Sequence, residues 1–194
     1  MTKNKLVQAT IKNFAAYGYQ GATMSRIAKD VGIKPASIYY FFANKEALFQ
    51  EAVHLILSHH FSMMKKTFEQ YREGEVHQLF SELLRSIVAY HTGYMDETKA
   101  YITMVNSPIP NIKKDVGDYL QEYNQWLVEQ LMLTIQEKYP GLEEQAVNRL
   151  IEYFIFIGNG LFWAVVIYEA ETLQNNLEMA MELMDQCLYQ IMGE

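Results

Sequence analysis

Residues 23–45 read TMSRIAKDVGIKPASIYYFFANK, and this stretch decides the fold. Met24, Ile27, Ala28 and Val31 recur at helical spacing and make one apolar stripe. Thr23 stands just ahead of it, where a hydroxyl can accept from an orphan backbone N–H. Gly32 follows and suits a helix end at positive φ. Lys34 leads into Pro35, whose missing N–H costs nothing in the first turn of a new helix. That second helix is expected to bury Ile38, Phe41 and Phe42 and to turn Ser37, Tyr39 and Tyr40 outward. Two short helices joined by a three-residue turn containing glycine form a helix-turn-helix, the unit that lays its second helix in the major groove of DNA.

Working outward, residues 6–17 read as a preceding helix, with Val7, Ile11, Phe14 and Ala15 on one face and Gly18 at its end. Asn44 caps the helix that follows the motif, and Glu46 suits its first turn. No Gly or Pro interrupts that helix before about residue 71, so it connects the head to the rest of the chain. Residues 76–91, 97–105, 115–139, 143–169 and 172–192 read as further helices. Residues 107–110, Ser-Pro-Ile-Pro, read as a loop, because two prolines oppose a helix there. No alternating strand pattern and no repeat is visible. The expectation is an all-α fold of about nine helices, divided into a head over residues 1–49 and a body over 50–194.

Charge divides the same way. Residues 1–50 carry seven Lys and Arg against Asp30 and Glu46, a balance of +5, which leaves −12 of the total −7 to the body. A basic head on an acidic body is a footprint for phosphate at one end. The single cysteine, Cys187, excludes an internal disulfide and suits a reducing cytoplasm. No export leader is read at the N-terminus. The longest apolar run, residues 154–167, is interrupted by Gly158-Asn159-Gly160 and is shorter than the roughly 20 residues of a membrane span. A buried or interface helix is the reading, and no membrane is expected.

Gly18-Tyr19, Thr23, Ile27-Ala28, Gly32-Ile33, Ile38-Tyr39, Phe42 and Lys45-Glu46-Ala47-Leu48-Phe49 together resemble the N-terminal domain of TetR-type transcriptional repressors. The resemblance runs without a gap from about residue 6 to residue 49. It implies phosphate contacts at Thr23, Tyr40 and Lys45. It places Lys34, Pro35, Ala36, Ser37 and Tyr39 in or beside the groove. Two readings stand for Tyr39: contact with DNA, or packing under the head. Lys34, Ala36 and Phe41 depart from the family, which often has Ser or Thr, Gly and His there. These departures should alter which bases are read and leave the docking intact.

The body is rich in Tyr, Trp and Met, which make adaptable apolar cavities. Taken singly, each reads as core. As a set they permit the effector pocket that the resemblance implies, with Tyr90, His91, Tyr94, Tyr101, Tyr119, Tyr123 and Trp126 as candidates for its lining. Leu150, Phe154, Ile157, Gly158 and Leu161 form one stripe near the C-terminus, and Met181, Met184 and Leu188 another. Two such helices from each subunit would make a four-helix bundle, hence a homodimer and an inverted-repeat operator in double-stranded DNA.

No cofactor and no metal is expected. His59 and His60 are neighbours on a helix and point about 100° apart. His54, His77 and His91 have no ligand partner at metal spacing. An enzyme with an appended head finds no support, since neither a phosphate loop nor a nucleophile–base set can be justified. Two readings remain for the body: a small apolar or amphipathic effector, or a protein partner with no inducer.

Overall fold

The computed structural model describes residues 2–107 and 109–193. Their elements are α1 (Thr2–Gly21), α2 (Met24–Val31), a 3-10 helix (Pro35–Tyr40), α3 (Lys45–Tyr71), α4 (Val76–Gly93), α5 (Met95–Val105), α6 (Pro110–Lys138), α7 (Glu144–Ile167) and α8 (Ala170–Met192). The fold is all-α, with no strand among the described residues. Chain contacts divide it into two compact units. One comprises Met1–His60 with Tyr94–Gln121, the other Phe61–Gly93 with Glu122–Glu194. The residues expected as the head, 1–49, share their unit with α5 and the start of α6.

In the first unit α1 packs on both α2 and α5. Leu6, Ile11, Phe14, Ile27, Ile38, Leu48 and Phe49 have no exposed surface. Burying a side chain of this size stabilises by about 1.5–3 kcal/mol each. Phe49 is the hub: Phe14 meets its ring edge-on at 5.1 Å and Tyr19 at 4.8 Å. Gly18, where the first helix was expected to end, sits at φ 62°, ψ −178°, a kink inside α1 that only glycine adopts readily. The buried polar groups on α1 are satisfied locally. Thr10 Oγ1 donates to the Leu6 carbonyl and Asn13 Nδ2 to that of Ala9, both at 2.8 Å.

In the second unit α4 packs on α7 and α8, which also pack on each other. Phe68, Phe80, Leu83, Leu84, Leu131, Leu150, Phe154 and Met184 form its core.

Two expectations need correction. Pro110 does not belong to a loop; it opens α6, as proline can in a first turn where its N–H would be unpaired anyway. Pro108 lies outside the described residues. The second helix of the motif is 3-10 rather than α, and its tighter winding brings only Ile38 inward. Phe42 is buried after the helix has ended, whereas Phe41, at its C-cap, is 42% exposed. The helix expected over residues 143–169 is α7, Glu144–Ile167. Over its whole length it is long and apolar enough to cross a membrane by length and composition, with a mean hydropathy of 1.9 in its best window. Of that window 39% is buried inside this chain, as expected of a helix that serves a protein core on one side.

Candidate nucleic-acid interface

The motif is built by its caps. Thr23 is extended, and its Oγ1 accepts from the Arg26 N–H at 3.3 Å. At the other end Gly32 is left-handed at φ 75°. Its N–H donates to the Lys29 carbonyl and that of Ile33 to the Ala28 carbonyl, at 3.1 and 3.0 Å. This pair of bonds closes α2 sharply and sends the chain directly into the next helix. Lys34 stays extended, Pro35 takes the first helical position, and the Ser37 N–H donates to the Lys34 carbonyl at 2.9 Å. Asn44 then caps α3, with its Oδ1 accepting from the Ala47 N–H at 2.8 Å.

With Ile38 fully buried as the anchor, Lys34, Pro35, Ala36, Ser37, Tyr39 and Tyr40 are all exposed. Tyr40 is 93% exposed and Tyr39 56%, so the reading in which Tyr39 packs under the head does not describe its position here. Thr23 is exposed as well. Its oxygen accepts within α2, which leaves the hydroxyl proton free to donate to an anion.

Lys45 differs from the rest. Its ammonium donates to the Tyr19 carbonyl at 2.5 Å and lies over the Tyr19 ring at 4.3 Å and the Phe49 ring at 5.4 Å. Partial burial pulls its pKa below the ordinary lysine value. An ammonium has three donors, so one bond to a carbonyl leaves others for a phosphate.

Reading the sequence missed a feature of the α1–α2 edge. Asn13 Nδ2 donates to Asp30 Oδ2 at 2.6 Å, and the Arg26 guanidinium lies 4.4 Å over the Tyr17 ring. The two pairs are successive rungs of one antiparallel helix pair, since the first partner advances four residues as the second retreats four. Once an antiparallel α1–α2 pair is supposed, that arithmetic is the signal that would have found it.

The body candidates fare less uniformly. Tyr94, Tyr101 and Tyr119 belong to the first unit, and Tyr90, His91, Tyr123 and Trp126 to the second. In the first unit Tyr101 is half-buried, and burial raises its phenol pKa. The Tyr119 hydroxyl and Nδ1 of His60 share a hydrogen bond at 2.5 Å. Burial, with His59 adding to it, pushes His60 down to about 4, so its imidazole is neutral. His59 instead donates from Nδ1 to the buried Glu97 carboxylate at 3.1 Å, and its ring meets that of Tyr94 edge-on at 4.4 Å. The adjacent histidines thus serve different partners.

In the second unit Tyr90 and His91 are buried, with His91 edge-on to Phe162 at 4.8 Å. Tyr123 and Trp126 pack on Phe61 at 5.5 and 5.2 Å. A cavity of about 310 Å³ in this unit is lined by Glu75, Val76, His77, Tyr139, Asp185, Leu188 and Met192, and so by none of the seven candidates.

The stripe assigned to a dimer interface faces inward. Leu150, Phe154, Gly158, Leu161, Met184 and Leu188 are buried in the chain's own second unit, and Ile157 and Met181 are partly buried. A Cβ on Gly158 would meet Ile87 Cδ1 at 3.0 Å. A continuous run of apolar residues on α7 supplied two apolar sides, and the periodicity could not say which side the subunit keeps for itself. The side left open carries Tyr153, Phe156, Gly160, Trp163 and Ile167, all exposed, at alternating spacings of three and four. Met179, Leu183 and Tyr189 of α8 are also exposed.

Two short capped helices joined by the Gly32 turn, with the second exposed around a buried Ile38, make a helix-turn-helix. Residues 6–52 match the family profile of bacterial regulatory proteins of the tetR family. The biofilm operon icaADBC negative transcriptional regulator IcaR of Staphylococcus epidermidis is 25% identical over 153 residues, covering 79% of this chain and 80% of that protein. Among solved structures, the fatty acid degradation regulator FadR of Bacillus halodurans superposes with a TM-score of 0.70 at 18% identity, over 94% of each chain. FadR of Bacillus subtilis, solved in complex with stearoyl-CoA, superposes with a TM-score of 0.66 at 18% identity, over 93% of this chain and 96% of that one. Residues 6–52 thus carry the DNA-binding domain of bacterial regulatory proteins of the tetR family, and over most of its length the chain is similar to transcriptional regulators.

Proposed function

We propose that this protein is a cytoplasmic, homodimeric repressor that binds an inverted-repeat operator and is released by a small apolar or amphipathic effector. The observation that carries the reading is the outward set Lys34, Pro35, Ala36, Ser37, Tyr39 and Tyr40 over the buried Ile38. In this reading Thr23, Tyr40 and Lys45 hold phosphates, which fix register. Lys34 and Ser37 then offer polar groups to base edges, and Pro35 and Ala36 offer apolar contact to a thymine methyl. Negative regulation is supported by the similarity to IcaR.

Dimerisation is supported by the open side of α7. Large aromatic and aliphatic side chains at heptad-like spacing suit a helix bundle between two copies. An effector is supported by the Tyr, Trp and Met content of the body, and an acyl-type molecule by the shared fold with FadR of Bacillus subtilis. The second reading, control by a protein partner, competes only for the body.

The test is reciprocity. A ligand found by thermal shift is titrated into the protein with and without operator DNA. Release requires tighter binding to the DNA-free form, by a coupling of typically 1–3 kcal/mol. Operator must then weaken the ligand by the same factor that ligand weakens operator. Equal ligand affinity in both states would transfer the body to the protein-partner reading.

A further inference from the structure

We propose that Arg26, held against the ring of Tyr17, is a DNA phosphate contact, so that the interface extends from the recognition helix onto the α1–α2 edge. This rests on the nucleic-acid reading above and adds residues to it. Arg26 is exposed, and its guanidinium lies 4.4 Å over an aromatic ring that is itself 53% exposed. An arginine with an acidic residue one helical turn away, here Asp30, is placed to pair with it across that turn. In this chain Asn13 takes the Asp30 carboxylate at 2.6 Å, and no carboxylate lies within ion-pair distance of Arg26 among the described residues. Arg72 and Arg85, in contrast, are paired with Glu69 and Glu73, and with Glu82.

The charge of Arg26 is thus left open, and its side chain is fixed in direction. Asn13 holds the Asp30 carboxylate, and the guanidinium lies over the Tyr17 ring on an exposed residue. A planar, weakly hydrated fork with its rotamer already chosen matches a phosphate in two parallel bonds at little ordering cost. Its position agrees: Arg26 lies in the first turn of α2, and its own N–H donates to Thr23 Oγ1. Thr23 and Arg26 can hold the same stretch of backbone, one with a hydroxyl and one with a guanidinium. In a helix-turn-helix the first helix of the motif crosses the DNA backbone, which puts phosphates and not bases at this edge.

Phosphate contact is independent of sequence, so the probe is a mixed-sequence duplex longer than two helical turns. Binding to the full-length protein is followed by fluorescence anisotropy from about 50 to about 200 mM salt. Arg26→Ala is expected to weaken binding and to lower the log–log salt slope by about 0.9 per head. Tyr17→Leu should weaken binding with the slope kept, because the charge remains and only its orientation is lost. Tyr17→Phe, which keeps the ring, should bind as the unaltered protein does. Arg26→Gln replaces Arg26→Ala if melting shows that the alanine variant unfolds. An Arg26 variant with the unaltered slope, or a Tyr17→Leu protein that binds as Tyr17→Phe does, would overturn the proposal and leave the DNA reading standing. An unaltered protein that shows no salt-dependent binding to the duplex would instead sink the DNA reading itself.

Discussion

The ammonium of Lys45, at the start of α3, is tied to the backbone carbonyl of Tyr19, just beyond the Gly18 kink of α1. The same nitrogen lies over the Tyr19 and Phe49 rings. One side chain therefore braces the framework behind the recognition helix and, in the proposed function, meets a phosphate. Lys45→Ala should lower DNA binding for all sequences alike and reduce the salt slope by about 0.9 per subunit. It should also cost about 1 kcal/mol of stability through the lost cation–ring contact, a few degrees in Tm. A variant with altered base preference would mean that Lys45 reads sequence.

Gly18 carries the kink that brings Tyr19 to Lys45 and Phe49. At φ 62° and ψ −178° a Cβ is strained whatever the space around it. Gly18→Ala should destabilise by about 1–3 kcal/mol, read as a lowered urea midpoint with an unchanged m-value. An unchanged midpoint would show that the kink relaxes freely.

The dimer interface is tested on the open side of α7. Phe156 is 79% exposed in the subunit, so Phe156→Glu with Trp163→Glu should leave the fold intact and turn a dimer into a monomer by light scattering. Gly158→Arg tests something else: it drives a side chain toward Ile87 and should unfold the second unit. A micromolar monomer before any substitution, or a dimer that survives both glutamates, contradicts the assignment.

Acid should act through His60. Its folded pKa is held at about 4 against 6.5 for a free imidazole, chiefly by burial. The unfolded chain takes up this proton first, so the contribution is complete above pH 6.5 and is lost as pH falls towards 4. At pH 5 the loss is on the order of 2 kcal/mol. His60→Gln keeps a hydrogen-bond partner for the Tyr119 hydroxyl without the titration. It should therefore lose less stability than the unaltered protein between pH 7 and pH 5 in urea unfolding. Equal losses would show that His60 does not titrate differently on folding.

How far the sequence could be read follows from what each signal measures. Thr23, Gly32, Pro35 and Asn44 were legible because caps and turns are local: the hydrogen bonds they make lie within a few residues. The stripe Met24, Ile27, Ala28 and Val31 was legible because periodicity reports one buried side. Phe41 was misread because a 3-10 helix winds differently from an α-helix, and hydrophobicity alone does not distinguish the two. The α7 stripe was misread because both of its sides are apolar, and only the packing of α4 and α8 decides which one is core. The Tyr17–Arg26 pair is legible only once α1 and α2 are set antiparallel, and the His60–Tyr119 bond joins residues far apart in the chain, which no local pattern encodes.

The most direct measurement is a footprint of the purified protein on the DNA flanking its own gene. The account predicts protection of an inverted repeat, with half-site centres about one helical turn, roughly 34–36 Å, apart or a multiple of it. Protection should be lost in a protein carrying Lys34→Ala with Tyr40→Ala. A protected single site without symmetry would contradict the dimeric reading. Equal protection by the protein with and without those two side chains would contradict the central claim, that the exposed face from Lys34 to Tyr40 is what meets the DNA.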